Sequence, residues 1–186
     1  YNVRLYATTN YGYVDSTSFQ VTTFELPTAS FEFVNACEGT PVQFLNRSTI
    51  PSGSATYSWL YGDNTTGAGA NTTHLYNTPG IYMARLIVDV NGCKDDVTKY
   101  VTQAPRAQVS FTVPSATCDN LGLSFDNNTT IAFGTVGYTW EFGDGNISTN
   151  ANPMHTYNSF NNFTVKLKAS TGFGCIDSAS AQVSLI

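Results

Sequence analysis

The chain has 186 residues, a net charge of −5 and only 11% charged side chains, so threonine (26) and asparagine (17) supply most of its polarity. It carries no basic patch of the kind that binds nucleic acid, and no apolar run approaches the ~18 residues that span a bilayer. No 3.6-residue helical period persists, and the abundance of Thr, Tyr, Phe and Val between Gly/Asn-rich turns predicts an all-β fold.

In chain order, the first element is a predicted hairpin. Tyr1-Asn2-Val3-Arg4-Leu5-Tyr6-Ala7 aligns with Phe163-Thr164-Val165-Lys166-Leu167-Lys168-Ala169 at an offset of 162, and Asp15-Ser16 falls on Asp177-Ser178. Residues 1–24 therefore read as the last two strands of a repeat. An isolated two-strand hairpin is marginal in water, so Tyr1 is expected to lie inside a longer parent. This copy carries Tyr13 where the later ones carry cysteine.

Ser30-Phe31-Glu32-Phe33 and Val42-Gln43-Phe44 alternate polar and apolar residues, the period of half-buried strands. Tyr57-Ser58-Trp59-Leu60-Tyr61-Gly62-Asp63-Asn64 then recurs, 81 residues on, as Tyr138-Thr139-Trp140-Glu141-Phe142-Gly143-Asp144-Gly145. The same offset carries Cys37 onto Cys118, His74 onto His155 and Tyr76 onto Tyr157; Cys93 maps to Cys175 at offset 82. A period this long denotes tandem domains rather than solenoid units. The domains are 1–24 (remnant), 25–103 and 104–186. Glu25-Leu26-Pro27-Thr28 and Ala104-Pro105-Arg106-Ala107 are the links, stiffened by proline into an expected semi-rigid, elongated array. Six or seven short strands per copy predict tandem Ig-like sandwiches.

One pair of cysteines falls in each full copy. The pairing that respects the repeat is Cys37–Cys93 with Cys118–Cys175, each closing a loop worth about 4 kcal/mol in the chain-entropy picture. A Cys93–Cys118 bridge across the junction is the main rival. Disulfides imply an oxidising, extracellular location. No C-x-x-C spacing supports zinc.

These residues resemble the PKD (polycystic kidney disease) domain, marked by a W-x-F-G-D-G turn followed by H-x-Y-x-x-P-G-x-Y. The second copy has Trp140-Glu141-Phe142-Gly143-Asp144-Gly145 and His155-Thr156-Tyr157. The first has Trp59-Leu60-Tyr61-Gly62-Asp63-Asn64 and His74-Leu75-Tyr76-Asn77-Thr78-Pro79-Gly80-Ile81-Tyr82. The resemblance implies Ig-like sandwiches of PKD type with extracellular roles in ligand binding, adhesion or spacing within secreted hydrolases. Trp59 and Trp140 are expected to fill the cores. Gly62-Asp63 and Gly143-Asp144 read as tight turns in which aspartate caps its own backbone. Calcium ligation by Asp63 and Asp144 is the competing role, because some PKD domains bind calcium; no acidic cluster supplies the six to eight oxygens it needs. No other cofactor is expected. His74 and His155 read as packed, hydrogen-bonded residues beside Tyr76 and Tyr157, since no catalytic partner repeats with them except the turn aspartates. Glu141 and Asp144 stand close in sequence, but Leu60 replaces the glutamate in the other copy, so a hydrolytic carboxylate pair is poorly supported.

Seven Asn-X-Ser/Thr sequons occur, at Asn46, Asn64, Asn71, Asn127, Asn128, Asn146 and Asn162. Asp15-Ser16-Thr17 and Asp177-Ser178-Ala179 resemble the O-glycosylation sequence of Bacteroidota, making Ser16 and Ser178 glycosylation candidates. Tandem, cysteine-paired copies rich in Asn and Thr resemble the repeats of type IX-secreted, gliding-associated adhesins of that phylum. The expected role is a non-catalytic stalk or adhesive filament at the cell surface. Its expected partners are neighbouring repeats of the chain and, beyond them, surface polysaccharide or other cell-surface and secretion proteins. The alternative is an accessory module of a secreted protease, chitinase or polysaccharide-degrading enzyme, using Tyr6, Tyr11, Tyr13 and Phe173 to hold substrate. Core or interdomain packing is the competing role for those four aromatics.

Overall fold

The computed structural model describes residues 1–23, 25–113 and 121–185, and among them it contains strands and no helix. The strands are β1 (Asn2–Thr8), β2 (Val14–Gln20), β3 (Phe31–Val34), β4 (Ala36–Cys37), β5 (Val42–Asn46), β6 (Ala55–Leu60), β7 (Thr66–Ala68), β8 (Thr72–His74) and β9 (Gly80–Val90). They continue as β10 (Cys93–Ala104), β11 (Phe111–Thr112), β12 (Gly122–Ser124), β13 (Asp126–Asn127), β14 (Val136–Glu141), β15 (Ile147–Ser148), β16 (Met154–Thr156), β17 (Asn162–Thr171) and β18 (Ile176–Ser184). The first full repeat holds a β3-β5-β8 sheet and a β4-β10-β9-β6-β7 sheet; the second holds a β15-β14-β17-β18 sheet and the pairs β11-β13 and β12-β16. The all-β, tandem-sandwich expectation agrees with this topology.

The chain divides into two compact units. One comprises Tyr1–Glu32, Leu45–Thr72 and Ala84–Lys99; the other comprises Phe33–Phe44, Thr73–Met83 and Tyr100–Ile186. The second unit thus contains the whole second repeat and three segments of the first, the last being the end of β10.

In the first unit, β1 and β2 pair antiparallel from Asn2↔Gln20 to Thr8↔Val14, and every residue of both strands is exposed. β6 runs antiparallel to β7 and to β9. Successive side chains of a strand point to opposite faces, so Ala84, Leu86, Val88 and Val90 all turn inward and are buried. Trp59 is fully buried, with Phe31 edge-on to its ring at 5.1 Å, and its Nε1 donates to the Gly69 carbonyl at 2.9 Å. Gly67 opposes Trp59, and a Cβ there would lie 2.1 Å from the Tyr61 hydroxyl. The close approach of the Tyr61 ring is therefore what requires glycine.

The second unit repeats this plan. β14 pairs with β17, β17 with β18, and Trp140 is fully buried in one core with Phe125, Phe142, Val165 and Leu167. Burying a large aromatic removes about 150–250 Å² from water. At roughly 25 cal/mol per Å², that is about 4–6 kcal/mol of transfer free energy per tryptophan. Trp140 Nε1 donates to Asn150 O at 3.0 Å, the counterpart of the Trp59–Gly69 bond 81 residues earlier.

The disulfide corrects the sequence expectation. Cys37 bonds Cys175, with Cα atoms 5.8 Å apart and 138 residues between them in sequence, and Cys93 is a free thiol. Neither Cys37–Cys93 nor Cys118–Cys175 forms; Cys118 itself lies outside the described residues. The reason is strand geometry. β4 lies parallel to the far end of β10, with Cys37 opposite Ala104, whereas Cys93 begins that strand. Eleven residues at ~3.3 Å each separate the two ends by about 36 Å, far beyond disulfide reach.

Candidate functional site

The repeated Trp-strand and Asp-turn is best seen in the second repeat. β14 ends at Glu141, and the Phe142 amide donates to Asn146 O at 3.1 Å, closing the turn. Gly143 (φ +86°) leaves no room for a side chain, because a Cβ would sit 2.7 Å from Thr164 O. Asp144 Oδ1 accepts from the Asn146 amide at 3.0 Å, and Oδ2 accepts from Asn146 Nδ2 at 3.0 Å and from His155 Nε2 at 2.7 Å. The Asp144 and His155 side chains are only 13% and 11% exposed. Burial pushes the Asp144 carboxyl upward, but the hydrogen bonds from Asn146 and His155 outweigh it and hold the group below the usual carboxylate range.

β16 delivers His155, whose ring stacks on Phe142 at 4.0 Å and meets Tyr157 edge-on at 4.6 Å. The Tyr157 hydroxyl donates to Phe142 O at 3.1 Å. Its ionisation is pushed up to about 12, by burial first and then by the Asp144 charge. Glu141 turns to Lys168 across the sheet, and that hydrogen bond holds its carboxyl low. Aspartate, histidine and tyrosine are thus tied into a turn and a core.

In the first repeat, Asp63 Oδ1 accepts from the Thr65 amide at 3.0 Å and from Thr65 Oγ1 at 2.5 Å. Gly62 has φ +87°, and Asn64 takes a left-handed φ of +68° where the second repeat has Gly145. His74 meets Tyr76 edge-on at 4.6 Å, and Tyr76 stacks on Tyr82 at 3.9 Å. Asp144 and Asp63 both use carboxylate oxygens to cap their turns, which a calcium ion would have to disrupt. Among the described residues, no three His, Cys, Asp or Glu side chains gather to hold a metal.

The join between the repeats is built on Arg106, which the sequence reading placed only in a link. Its Nε donates to Glu38 O at 3.0 Å and its Nη1 to Ile176 O at 3.1 Å, the residues that follow Cys37 and Cys175 respectively. The Glu38 amide donates to Ala104 O at 2.7 Å, and Gln103 Nε2 donates to Cys37 O at 2.9 Å. The signal in sequence was slight: one arginine in a proline link of a chain with eight lysines and arginines in all.

Three of the four surface aromatics are largely exposed and the fourth is half-exposed. Tyr6, Tyr11 and Tyr13 are 59%, 84% and 77% exposed; Phe173 is 46% exposed, with one edge-on contact to Phe133 at 5.6 Å. Arg4 lies over the Tyr6 ring at 5.2 Å, and its Nη1 donates to the Tyr6 hydroxyl at 3.2 Å. Ser16 and Ser178 are exposed, and in each the amide is capped at 2.8 Å by the preceding aspartate's Oδ1.

Residues 25–103 and 102–185 each match the PKD domain family, and the chain belongs to that family. Among solved structures, it resembles the PKD1 domain of Vibrio anguillarum Epp at 23% identity, covering 45% of this chain and 100% of that one, with a TM-score of 0.39. It likewise resembles the PKD1 domain of the Vibrio cholerae metalloprotease PrtV, at 25% identity over 44% of this chain and 96% of that one, with a TM-score of 0.37. Dscam1 isoform 6.9, a four-Ig-domain structure, aligns with 94% of this chain and 51% of its own at 10% identity, with a TM-score of 0.44. PKD domains occur in extracellular surface proteins and enzymes, where they are generally non-catalytic modules.

Proposed function

We propose that the chain is a non-catalytic, extracellular repeat region that acts as a structural stalk or adhesive filament of a larger cell-surface protein. The observation that carries this reading is the Cys37–Cys175 bond, which ties one repeat to the next rather than closing either one. A joint with a covalent bond and an arginine clamp suits a spacer that must hold its direction. It also suits an oxidising compartment. A type IX-secreted, gliding-type adhesin of Bacteroidota style, glycosylated at Ser16 and Ser178, is the finer form of this proposal. Unmodified masses for both serine peptides from native material would remove the glycan part of it.

The second reading is an accessory module of a secreted hydrolase, favoured by the exposure of Tyr6, Tyr11 and Tyr13. The test is to isolate the native polypeptide that carries this chain and map its domains by mass spectrometry, together with protease shaving of intact cells. Further PKD copies released by shaving support the stalk. A catalytic domain beside two or three copies supports the accessory module and overturns the stalk.

A further inference from the structure

Each cysteine of the bridge is fixed first within its own repeat. β4 lies parallel to the end of β10, with Cys37 opposite Ala104. The Glu38 amide donates to Ala104 O at 2.7 Å. Gln103, fully buried, donates through Nε2 to Cys37 O at 2.9 Å and to Thr40 O at 3.2 Å. Cys175 closes the turn between β17 and β18: its amide donates to Thr171 Oγ1 at 3.1 Å, and its carbonyl accepts from the Thr171 amide at 2.9 Å. None of these bonds joins one cysteine's segment to the other's.

Arg106 does join them. Its Nε donates to Glu38 O at 3.0 Å and its Nη1 to Ile176 O at 3.1 Å, so each carbonyl belongs to the residue just after a bridging cysteine. Nε and Nη1 are neighbours on one rigid plane, so the two backbones are held at a set spacing with a single residue of slack on either side. The Cα separation of Cys37 and Cys175, 5.8 Å, lies within the range that a disulfide accepts. The link aims the side chain. Pro105 fixes its own φ just before Arg106, and Ala104, Pro105 and Ala107 are buried around an arginine that is itself exposed. Arg106 therefore acts on the backbone and fills no core.

We infer that Arg106 is a positioning residue for the oxidation that closes the joint. It holds the Cys37 and Cys175 thiols side by side before the bond exists, and so selects this pair among the chain's four cysteines. Holding two reacting groups in register raises their effective concentration. By linkage, the closed bridge strengthens the arginine's two hydrogen bonds in return. In the oxidation two S–H bonds break and one S–S bond forms. Two protons and two electrons pass to a disulfide oxidant such as oxidised glutathione, whose own S–S bond becomes two thiols. The inference needs only the bridge and its clamp, and it is the same for a stalk and for an accessory module.

The test reduces the full chain without denaturing it, equilibrates it in glutathione redox buffers, and maps the disulfides after alkylation. The parent chain is expected to form Cys37–Cys175. Arg106→Ala, at an exposed position, is expected to lower that bond's equilibrium constant against glutathione roughly tenfold or more, the weight of hydrogen bonds from an ionised donor, and to let other cysteine pairs appear. Arg106→Lys keeps the charge but has one nitrogen in place of the fork, and is expected not to restore the parent value. Arg85→Ala removes an arginine paired with Asp96 at the surface, and is expected to leave the constant within about twofold of the parent. A constant unchanged by Arg106→Ala, full rescue by Arg106→Lys, or an equal loss in Arg85→Ala would each overturn the inference.

Discussion

His155 Nε2 lies 2.7 Å from Asp144 Oδ2, joining β16 to the turn that follows the tryptophan strand. The bond sits where only 13% of the Asp144 side chain meets solvent. Hydrogen bonds to a charged group are worth about 1.5–3 kcal/mol, so Asp144→Ala is expected to destabilise the second repeat by roughly that amount. Urea midpoints of the variant and parent chain check it.

Acid should act through the same carboxylate. Its folded value is depressed, so its contribution is present above the ordinary carboxylate pKa of about 4 and is lost as pH falls through the lower folded value. Melting temperatures of the parent chain should therefore drop below about pH 4 more steeply than those of Asp144→Asn, which has no proton to take up.

Alkali should act through Tyr157. Its phenol ionises at about 12 in the folded protein and near 10 when unfolded. The neutral form is the one the core accepts, so stability is flat below pH 10 on this account and falls between about 10 and 12. Tyr157→Phe should abolish that slope while costing about 1 kcal/mol at neutral pH for the lost bond to Phe142 O. Melting curves from pH 9 to 11.5 measure both effects.

The two turn glycines should separate. Gly143→Ala places a Cβ 2.7 Å from Thr164 O, whereas Gly145→Ala meets nothing within 4 Å, and both have positive φ. The expected cost is at least 2 kcal/mol for the first and about 1 kcal/mol for the second, by strain alone. Chemical denaturation of both variants decides it, and equal costs would contradict the close approach of Thr164.

Peptide mapping without reduction should recover Cys37 linked to Cys175 and Cys93 alkylated. Cys93→Ser should leave the chain's stability within about 0.5 kcal/mol of the parent, as for other replacements that break no contact.

The sequence made the strands, the tryptophan cores and the turns legible because each depends on neighbours in the chain. Period-two burial in β9 and the positive φ at Gly62 and Gly143 follow from local pattern and backbone sterics. The cysteine pairing was not legible, for a reason inherent in repeats. A period of about 81 residues fixes which position bonds which, but not in which copy the partner lies. Cys37 with Cys93 and Cys37 with Cys175 are the same pair of positions, and only the strand that carries Cys37 to the far end of β10 chooses between them. Arg106 was missed likewise, because both carbonyls it binds are brought to it by that choice.

The Cys37–Cys175 bond also reroutes mechanical tension. A pull between the two ends of the chain runs from Tyr1 to Cys37, crosses the sulfur bridge, and leaves through the residues after Cys175. Residues 38–174, Trp59 and Trp140 among them, lie inside the covalent loop that the bridge closes, whereas β3 and β18, whose Phe31 and Val183 pack in the two tryptophan cores, lie on the route. At ~3.5 Å per extended residue, the oxidised chain can be drawn out to about 17 nm and the reduced chain to about 65 nm. The thiol oxidant of its surroundings then sets the greatest length to which this segment can be drawn.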